Sequence, residues 1–200
     1  MKLFRSLPTI ALIFIFSTVS AQLSEGPFEQ LIIRGVTLIN GNGAPPIGPV
    51  DVVVEKNIIR EVSVVGYPDV EIDPKKRPEL RNGGKEIDAH GMYLLPGFID
   101  MHGHIGGVAQ GADWDYVFNL WLAHGITTAR EPSGRGRDWT LDLKKRSEKN
   151  EIIAPRIIQY TGFGQGSKYE ISTPEQARAW VRENAKAGSD GIKFFGAAPK

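Results

Sequence analysis

The stretch "PGFIDMHGHIGG", residues 96–107, carries two of the four histidines in the chain, His102 and His104, on either side of one glycine. Alternate side chains of a β-strand point to the same face, so this spacing predicts that both imidazoles project together. Imidazole is a ligand for zinc, iron and nickel, and two on one rigid element reduce the cost of ordering a metal site. Asp100, on the same face, is predicted to hydrogen-bond a histidine or to brace the strand.

A chance surface pair is the alternative interpretation of any isolated His-x-His. The flanks favour ligation, because an apolar run precedes the histidines and glycines follow them. That arrangement is typical of a strand end that opens into a site.

Strands and helices alternate after Pro96. The order is a strand at 97–104, a helix from Trp114 to about Gly125, the strand "ITTAR", a charged helix at 140–150, the strand "RIIQYTG", a helix at 173–188 and a strand at 190–196. Thr173, Pro174 and Gln176 predict the start of the third helix, and Gly188 predicts its end. Four strands with three intervening helices predict an α/β fold with a parallel sheet, either open and doubly wound or closed into a barrel.

Residues before Pro96 have the pattern of a separate β-rich unit. "LIIRGVTLIN" reads as a strand and 50–65 as a hairpin that turns at Glu55-Lys56-Asn57, where asparagine tolerates a left-handed backbone. Residues 66–85 are polar and predict an exposed loop, and 86–95 return to strand character.

The first 21 residues have the pattern of an export signal: a basic start, a short apolar run, and small residues up to Ala21. The apolar run is shorter than the roughly 20 residues of a membrane-spanning helix. We therefore expect an exported, periplasmic or secreted protein without a stable membrane anchor.

Composition excludes several classes of partner and of stabilisation. The chain has 24 basic and 23 acidic residues, and removing Lys2 and Arg5 with the signal leaves 22 against 23, about minus one. That balance does not favour binding to nucleic acid. Because there is no cysteine, the fold depends on an apolar core or a metal, not on disulfides.

Taken together, "IDAHGMYLLPGFIDMHGH" and "HGITTAREPSG" resemble the first two barrel strands of the amidohydrolase superfamily. Glu131 stands where an aspartate is more usual. The resemblance runs from about Leu31 to the last residue and is greatest to the imidazolonepropionase-like and Xaa-Pro dipeptidase-like branch. It implies a β-sandwich portion at 22–95 and, at 96–200, the first four β/α units of a (β/α)8 TIM-like barrel.

The same resemblance implies a metal-dependent hydrolase that cleaves the C–N bond of an amide, lactam or dipeptide with metal-activated water. His102 and His104 would bind the more buried of two divalent metals, usually zinc. Lys193, in "GIKFF" on the fourth strand, would react with carbon dioxide, and its carbamate would bridge the metals. An amine that is neutral part of the time is required, and burial near positive charge lowers a lysine pKa in that direction. The alternative for Lys193 is a lysine that reaches solvent.

Other polar residues have structural explanations that compete with function. Arg130, Arg135 and Arg137 lie in or beside the loop after the second strand, where Arg130 and Arg135 are candidates to bind a substrate carboxylate, although solvated loop charges are commoner. His124 is expected to cap the first helix. The spacing in "GFGQGS" does not fit a dinucleotide-binding loop.

The general base and the remaining ligands of the superfamily have no counterpart in these 200 residues. We therefore expect the chain to be an N-terminal part of a longer enzyme, or a truncated product, that is inactive by itself. Two alternatives stay open: a non-catalytic binding or assembly module completed by a partner chain, and a mononuclear deaminase in which Lys193 has no role. Homo-oligomerisation also stays open.

Overall fold

The computed structural model describes residues 25–106 and 111–196. The predicted signal peptide, 1–21, lies outside them. The elements in chain order are β1 (Gln30–Leu38), β2 (Ile47–Glu55), β3 (Ile58–Val64), a 3-10 turn (Pro74–Lys76), β4 (Lys85–Asp88), β5 (Tyr93–Leu94), β6 (Phe98–Asp100), α1 (Trp114–Ala123), β7 (Ile126–Pro132), α2 (Arg137–Glu148), β8 (Arg156–Gly162), α3 (Pro174–Ala187) and β9 (Gly191–Lys193). In this part of the chain no helix is long and apolar enough to cross a membrane.

The first sheet has five strands in the order β3-β2-β1-β4, and β5 also pairs with β1. The β2–β3 hairpin turns at Lys56 and Asn57, and Lys56, not Asn57, has the positive φ of 54°. Its buried side packs around Val36, Val50, Val52 and Ala89. Of the predicted sandwich, the described residues form this one sheet.

The segment 66–85, predicted to be an exposed loop, is fastened to the first sheet by buried charge. Arg77 donates to both carboxylate oxygens of Asp51, at 2.9 and 3.0 Å, and Arg34 donates to Asp51 at 3.0 Å and to the Pro78 carbonyl at 2.8 Å. Asp51 has no exposed surface. The polar composition of the segment therefore conceals several anchoring contacts.

The second sheet is parallel throughout, in the order β6-β7-β8-β9. This confirms the predicted alternation of parallel strands and helices. Its helices bury Phe118 from α1 and Leu143 from α2 against Ile105 and Ile157. Because the strands are parallel and consecutive, their carboxyl ends all lie at the same end of the sheet. The candidate site residues lie at or near this carboxyl end.

Candidate functional site

The histidine pair lies in a loop just beyond the end of a strand. The sequence pattern predicts a strand through His104, but β6 ends at Asp100, whose carboxylate accepts the backbone N–H of His102 at 2.8 Å. This local turn ends the strand because a short acidic side chain satisfies a backbone donor that strand pairing would otherwise use. Asp100 therefore braces the backbone of the loop, which is one of the two roles predicted for it.

The predicted alternation of faces persists beyond the strand. His102 and His104 are exposed, whereas Gly103 and Ile105 are buried. The two imidazole rings lie edge to face, with centroids 5.4 Å apart. The sequence therefore correctly predicts that both rings occupy the same side, although the backbone that carries them is a loop.

Contacts from β7 and α1 fix that loop in place. Gly103 donates its N–H to the carbonyl of Arg130 at 3.1 Å, which continues the pairing of β6 with β7 past the strand end. A Cβ at Gly103 would come within 2.7 Å of the Trp121 ring, so any larger residue would force the loop or the ring to move. Ile105 is 1% exposed and belongs to the core.

Glu131, near the carboxyl end of β7, is the polar residue that contacts this loop most closely. Its side chain is 1% exposed. One carboxylate oxygen accepts the N–H of Ile105 at 2.7 Å, and the other lies 3.2 Å from Nδ1 of His104. Carboxylates in this position commonly orient metal-binding histidines through the ring nitrogen that does not face the metal.

Sequence reasoning names Glu131 only as a departure from the usual aspartate and assigns it no role. The contact joins residues 27 positions apart, so no local pattern reveals it. The signal in the sequence is an acidic residue directly after the predicted strand "ITTAR", at a position that a parallel sheet would bury.

Lys193 ends β9, at the same edge of the sheet but three strands away from β6. Its side chain is partly buried, with Nζ 5.9 Å from the centre of the Phe195 ring. The structure thus places Lys193 at the predicted strand end without bringing it into contact with the histidines.

The two candidate arginines stack on aromatic rings. Arg130 lies 5.1 Å from the centre of the Tyr160 ring, and its buried Nε has no hydrogen-bond partner among the described residues. Arg135 lies 5.1 Å from the centre of the Trp139 ring. Arg137 hydrogen-bonds Asp138 and Asn184, which is a structural role.

One further expectation is confirmed. Nδ1 of His124 lies 2.8 Å from the Leu120 carbonyl, so this histidine caps α1 as predicted. In "GFGQGS" the side-chain oxygen of Gln165 accepts a hydrogen bond from the Ser133 hydroxyl at 2.8 Å, which ties this segment to the turn after β7.

The donor set fits part of a metal site. Two imidazoles on a fixed loop, one of them backed by a buried carboxylate, have the chemistry of metal ligands. Within residues 25–106 and 111–196, no group of three or more His, Cys, Asp or Glu side chains is arranged to hold an ion. The histidine pair would therefore supply some of the ligands but not all of them.

These features define an α/β protein whose polar groups collect at the carboxyl edge of a parallel sheet. Solved structures that share this fold include molinate hydrolase (21% identity, 84% of this chain and 45% of that chain, TM-score 0.60). They also include a putative prolidase from Bifidobacterium longum (22%, 86% and 42%, 0.58) and bottromycin amidohydrolase (21%, 89% and 35%, 0.59). No protein-family profile and no curated protein sequence matches the chain.

The resemblance to amidohydrolases is thus confirmed at the level of the fold: the chain folds like part of these amidohydrolase-family structures. It spans less than half the length of the ones it matches.

Proposed function

We propose that this chain is part of a metal-dependent hydrolase of the amidohydrolase superfamily that cleaves a C–N bond in an amide, lactam or dipeptide. The observation that carries the proposal is the pair of imidazoles, 5.4 Å apart, at the carboxyl edge of a parallel sheet. Catalytic groups of α/β barrels lie at that edge. In this proposal the first sheet is part of a β-sandwich, and the second is the first half of a (β/α)8 barrel.

Each candidate residue has a defined role in this proposal. His102 and His104 hold a divalent ion, and zinc suits their two nitrogen ligands. Asp100 holds the backbone of the loop that carries them. When bound, such an ion lowers the pKa of water and polarises a carbonyl group. Arg130, whose buried Nε has no partner within residues 25–106 and 111–196, binds a carboxylate of the substrate, and Arg135 lies in the loop that follows.

Lys193 holds a second ion through a carbamate. The neutral Nζ forms a bond to the carbon of carbon dioxide and loses one proton, which leaves an anionic ligand. The position of Lys193 supports this role, because it ends β9 at the carboxyl end of the parallel sheet, where its side chain is partly buried.

Residues 1–21 direct export in this proposal, so the enzyme acts in the periplasm or outside the cell on a small amide or peptide. The polar, chargeable groups at the sheet edge suit a small substrate and not a nucleic acid.

The proposal is tested by titrating the metal-stripped protein with zinc and measuring the heat of binding by calorimetry. We expect His102→Ala and His104→Ala each to weaken binding by at least tenfold. His90→Ala and His124→Ala are matched controls, because His90 lies in a turn of the first sheet and His124 caps α1. Unchanged zinc uptake in the double variant of His102 and His104 would overturn the proposal.

The role of Lys193 has a separate test, in which metal stoichiometry is measured with and without bicarbonate. We expect bicarbonate to promote binding of a second ion in the wild type but not in Lys193→Arg, which keeps the charge and cannot form the carbamate. One ion per chain under both conditions would favour the mononuclear alternative.

A further inference from the structure

The most informative contact outside the predicted ligand set is the one between Glu131 and His104. We propose that Glu131 is a positioning residue that fixes His104 as the tautomer with hydrogen on Nδ1 and thereby leaves the lone pair of Nε2 free to bind a metal. The metal in this statement rests on the proposed function, whereas the tautomer follows from the contacts of Glu131 alone.

Both oxygens of the carboxylate are committed. The N–H of Ile105 donates to Oε2 at 2.7 Å, and a backbone N–H can only donate. This bond therefore holds the orientation of the carboxylate and directs Oε1 towards His104, whose Nδ1 is 3.2 Å away. Because a carboxylate accepts hydrogen bonds at both oxygens, Nδ1 is the donor in this pairing and carries the hydrogen.

The surroundings of Glu131 leave it little freedom to adopt another position. Its side chain is 1% exposed, and a Cβ on Gly134 would come within 2.8 Å of Oε1, so the following turn closes tightly over the carboxylate. That turn contains Ser133 with a φ of 73°, a backbone conformation that residues other than glycine rarely adopt. Strain of this kind persists where the surrounding structure holds a functional group in place.

His104 has the opposite exposure pattern. Its side chain is 39% exposed although Nδ1 faces the buried acid, and Nε2 lies on the opposite side of the ring from that contact. A histidine that is anchored at one nitrogen and open at the other has the arrangement of a metal ligand whose orientation is set from behind.

The test is a long-range ¹H–¹⁵N correlation spectrum of the histidine rings in the metal-stripped protein. The spectrum is recorded at pH about 8.5, roughly two units above the pKa of free histidine, and it reports which ring nitrogen carries hydrogen. We expect His104 to carry hydrogen on Nδ1. His124 is the internal standard, because its Nδ1 faces the Leu120 carbonyl at 2.8 Å and must donate to it. Single replacements by glutamine assign the two signals.

Glu131→Gln gives the sharpest comparison. The amide must turn its oxygen to the N–H of Ile105, so its NH₂ group faces His104 and donates to Nδ1. We therefore expect the hydrogen of His104 to move to Nε2 and zinc affinity to fall about 10- to 100-fold. Glu131→Asp, which keeps the carboxylate, is expected to retain the Nδ1–H tautomer. Asp51→Asn makes the same chemical change at a buried carboxylate in the other sheet, and it should leave His104 unaltered.

The outcomes separate this inference from the proposed function. Hydrogen on Nε2 in the wild type, or a tautomer that Glu131→Gln does not change, would overturn the positioning role even if zinc binds. The expected tautomers in a protein that takes up no zinc would uphold the positioning role and overturn the metal-dependent hydrolase. The wild-type spectrum alone decides the tautomer if Glu131→Gln fails to fold.

Discussion

At the scale of single residues, Asp51 shows how one buried charge holds a long polar segment. Burial alone would raise the pKa of this carboxyl, but hydrogen bonds from Arg77, Arg34 and the Gly35 N–H outweigh that effect and lower it below the ordinary 3.8. Removing one member of such a cluster leaves buried charge without its partner. We expect Asp51→Asn to reduce the free energy of unfolding by about 3 kcal/mol, measured by urea denaturation. The exposed Asp69, in the same segment, provides the control Asp69→Asn, which should behave like the wild type.

The same residue gives a dependence on pH. A carboxyl whose pKa is lower in the folded state stabilises fully above its unfolded pKa of about 3.9, and it loses that contribution as pH falls through the lower folded value. The difference in unfolding free energy between the wild type and Asp51→Asn should therefore be constant above pH about 5 and shrink below about 4. A difference that stays the same from neutral pH down to pH about 3 would show that Asp51 does not titrate as its contacts require.

Gly103 separates the two histidines and allows their loop to approach α1. An added methyl group would meet the Trp121 ring at 2.7 Å and Asp100 Oδ2 at 3.1 Å. We expect Gly103→Ala to destabilise the protein by about 1–3 kcal/mol through overpacking and to shift tryptophan emission, both followed by fluorescence during urea unfolding. At Gly66 the nearest contact of an added Cβ is 3.4 Å, so Gly66→Ala should cost less. Equal costs for the two variants would contradict the close packing at Gly103.

Sequence reasoning at this scale succeeds where one residue type has one role. The spacing of His102 and His104 predicts a shared face, and their rings are neighbours. It does not find Glu131, because the contact with His104 depends on how two strands pair across 27 residues. It also assigns the left-handed turn residue to Asn57 when Lys56 adopts it, because the neighbouring strands decide how the turn is entered.

At the scale of elements, α3 is the helix that its sequence predicts best. Thr173 accepts the Gln176 N–H at 3.3 Å, the Gln176 side chain accepts the Thr173 N–H at 3.0 Å, and Gly188 ends the helix with a φ of 107°. We expect Thr173→Ala to lower the unfolding free energy by about 1 kcal/mol, because a backbone donor loses its acceptor. Thr173→Ser keeps the hydroxyl group and should restore nearly all of it. A Thr173→Ala variant as stable as the wild type in urea would show that the capping box contributes nothing.

Elements without such local chemistry are predicted less well. Helix α2 begins at Arg137, three residues before the predicted 140, because its N-cap is Gly136 and no side chain caps it. Strand β6 is shorter than predicted, because alternation of side chains continues through a loop and cannot show that the backbone has stopped pairing. The end of a capped helix can be predicted from a few neighbouring residues, whereas the end of a strand depends on where its pairing with another strand stops.

At the scale of the whole molecule, both edges of the parallel sheet expose large apolar side chains. Phe98, Ile99 and Met101 lie at the β6 edge, and Phe194 and Phe195 follow β9; each is more than half exposed. Parallel sheets are normally covered on both faces, and strand edges with apolar side chains promote association. The chain also spans less than half the length of the structures whose fold it shares, so the proposed barrel would cover this surface with further strands and helices.

We therefore expect the 200-residue chain to associate with itself as its concentration rises, because the uncovered edges bury each other. Sedimentation velocity over a wide concentration range measures this, and Phe195→Lys, at a side chain that is 73% exposed, should reduce the association. Tyr67→Lys changes a side chain of similar exposure in the segment after β3, at 69%, and serves as the matched control with little expected effect. A monomer at every concentration would instead favour a module that is stable with its edges open, and it would weaken the half-barrel proposal.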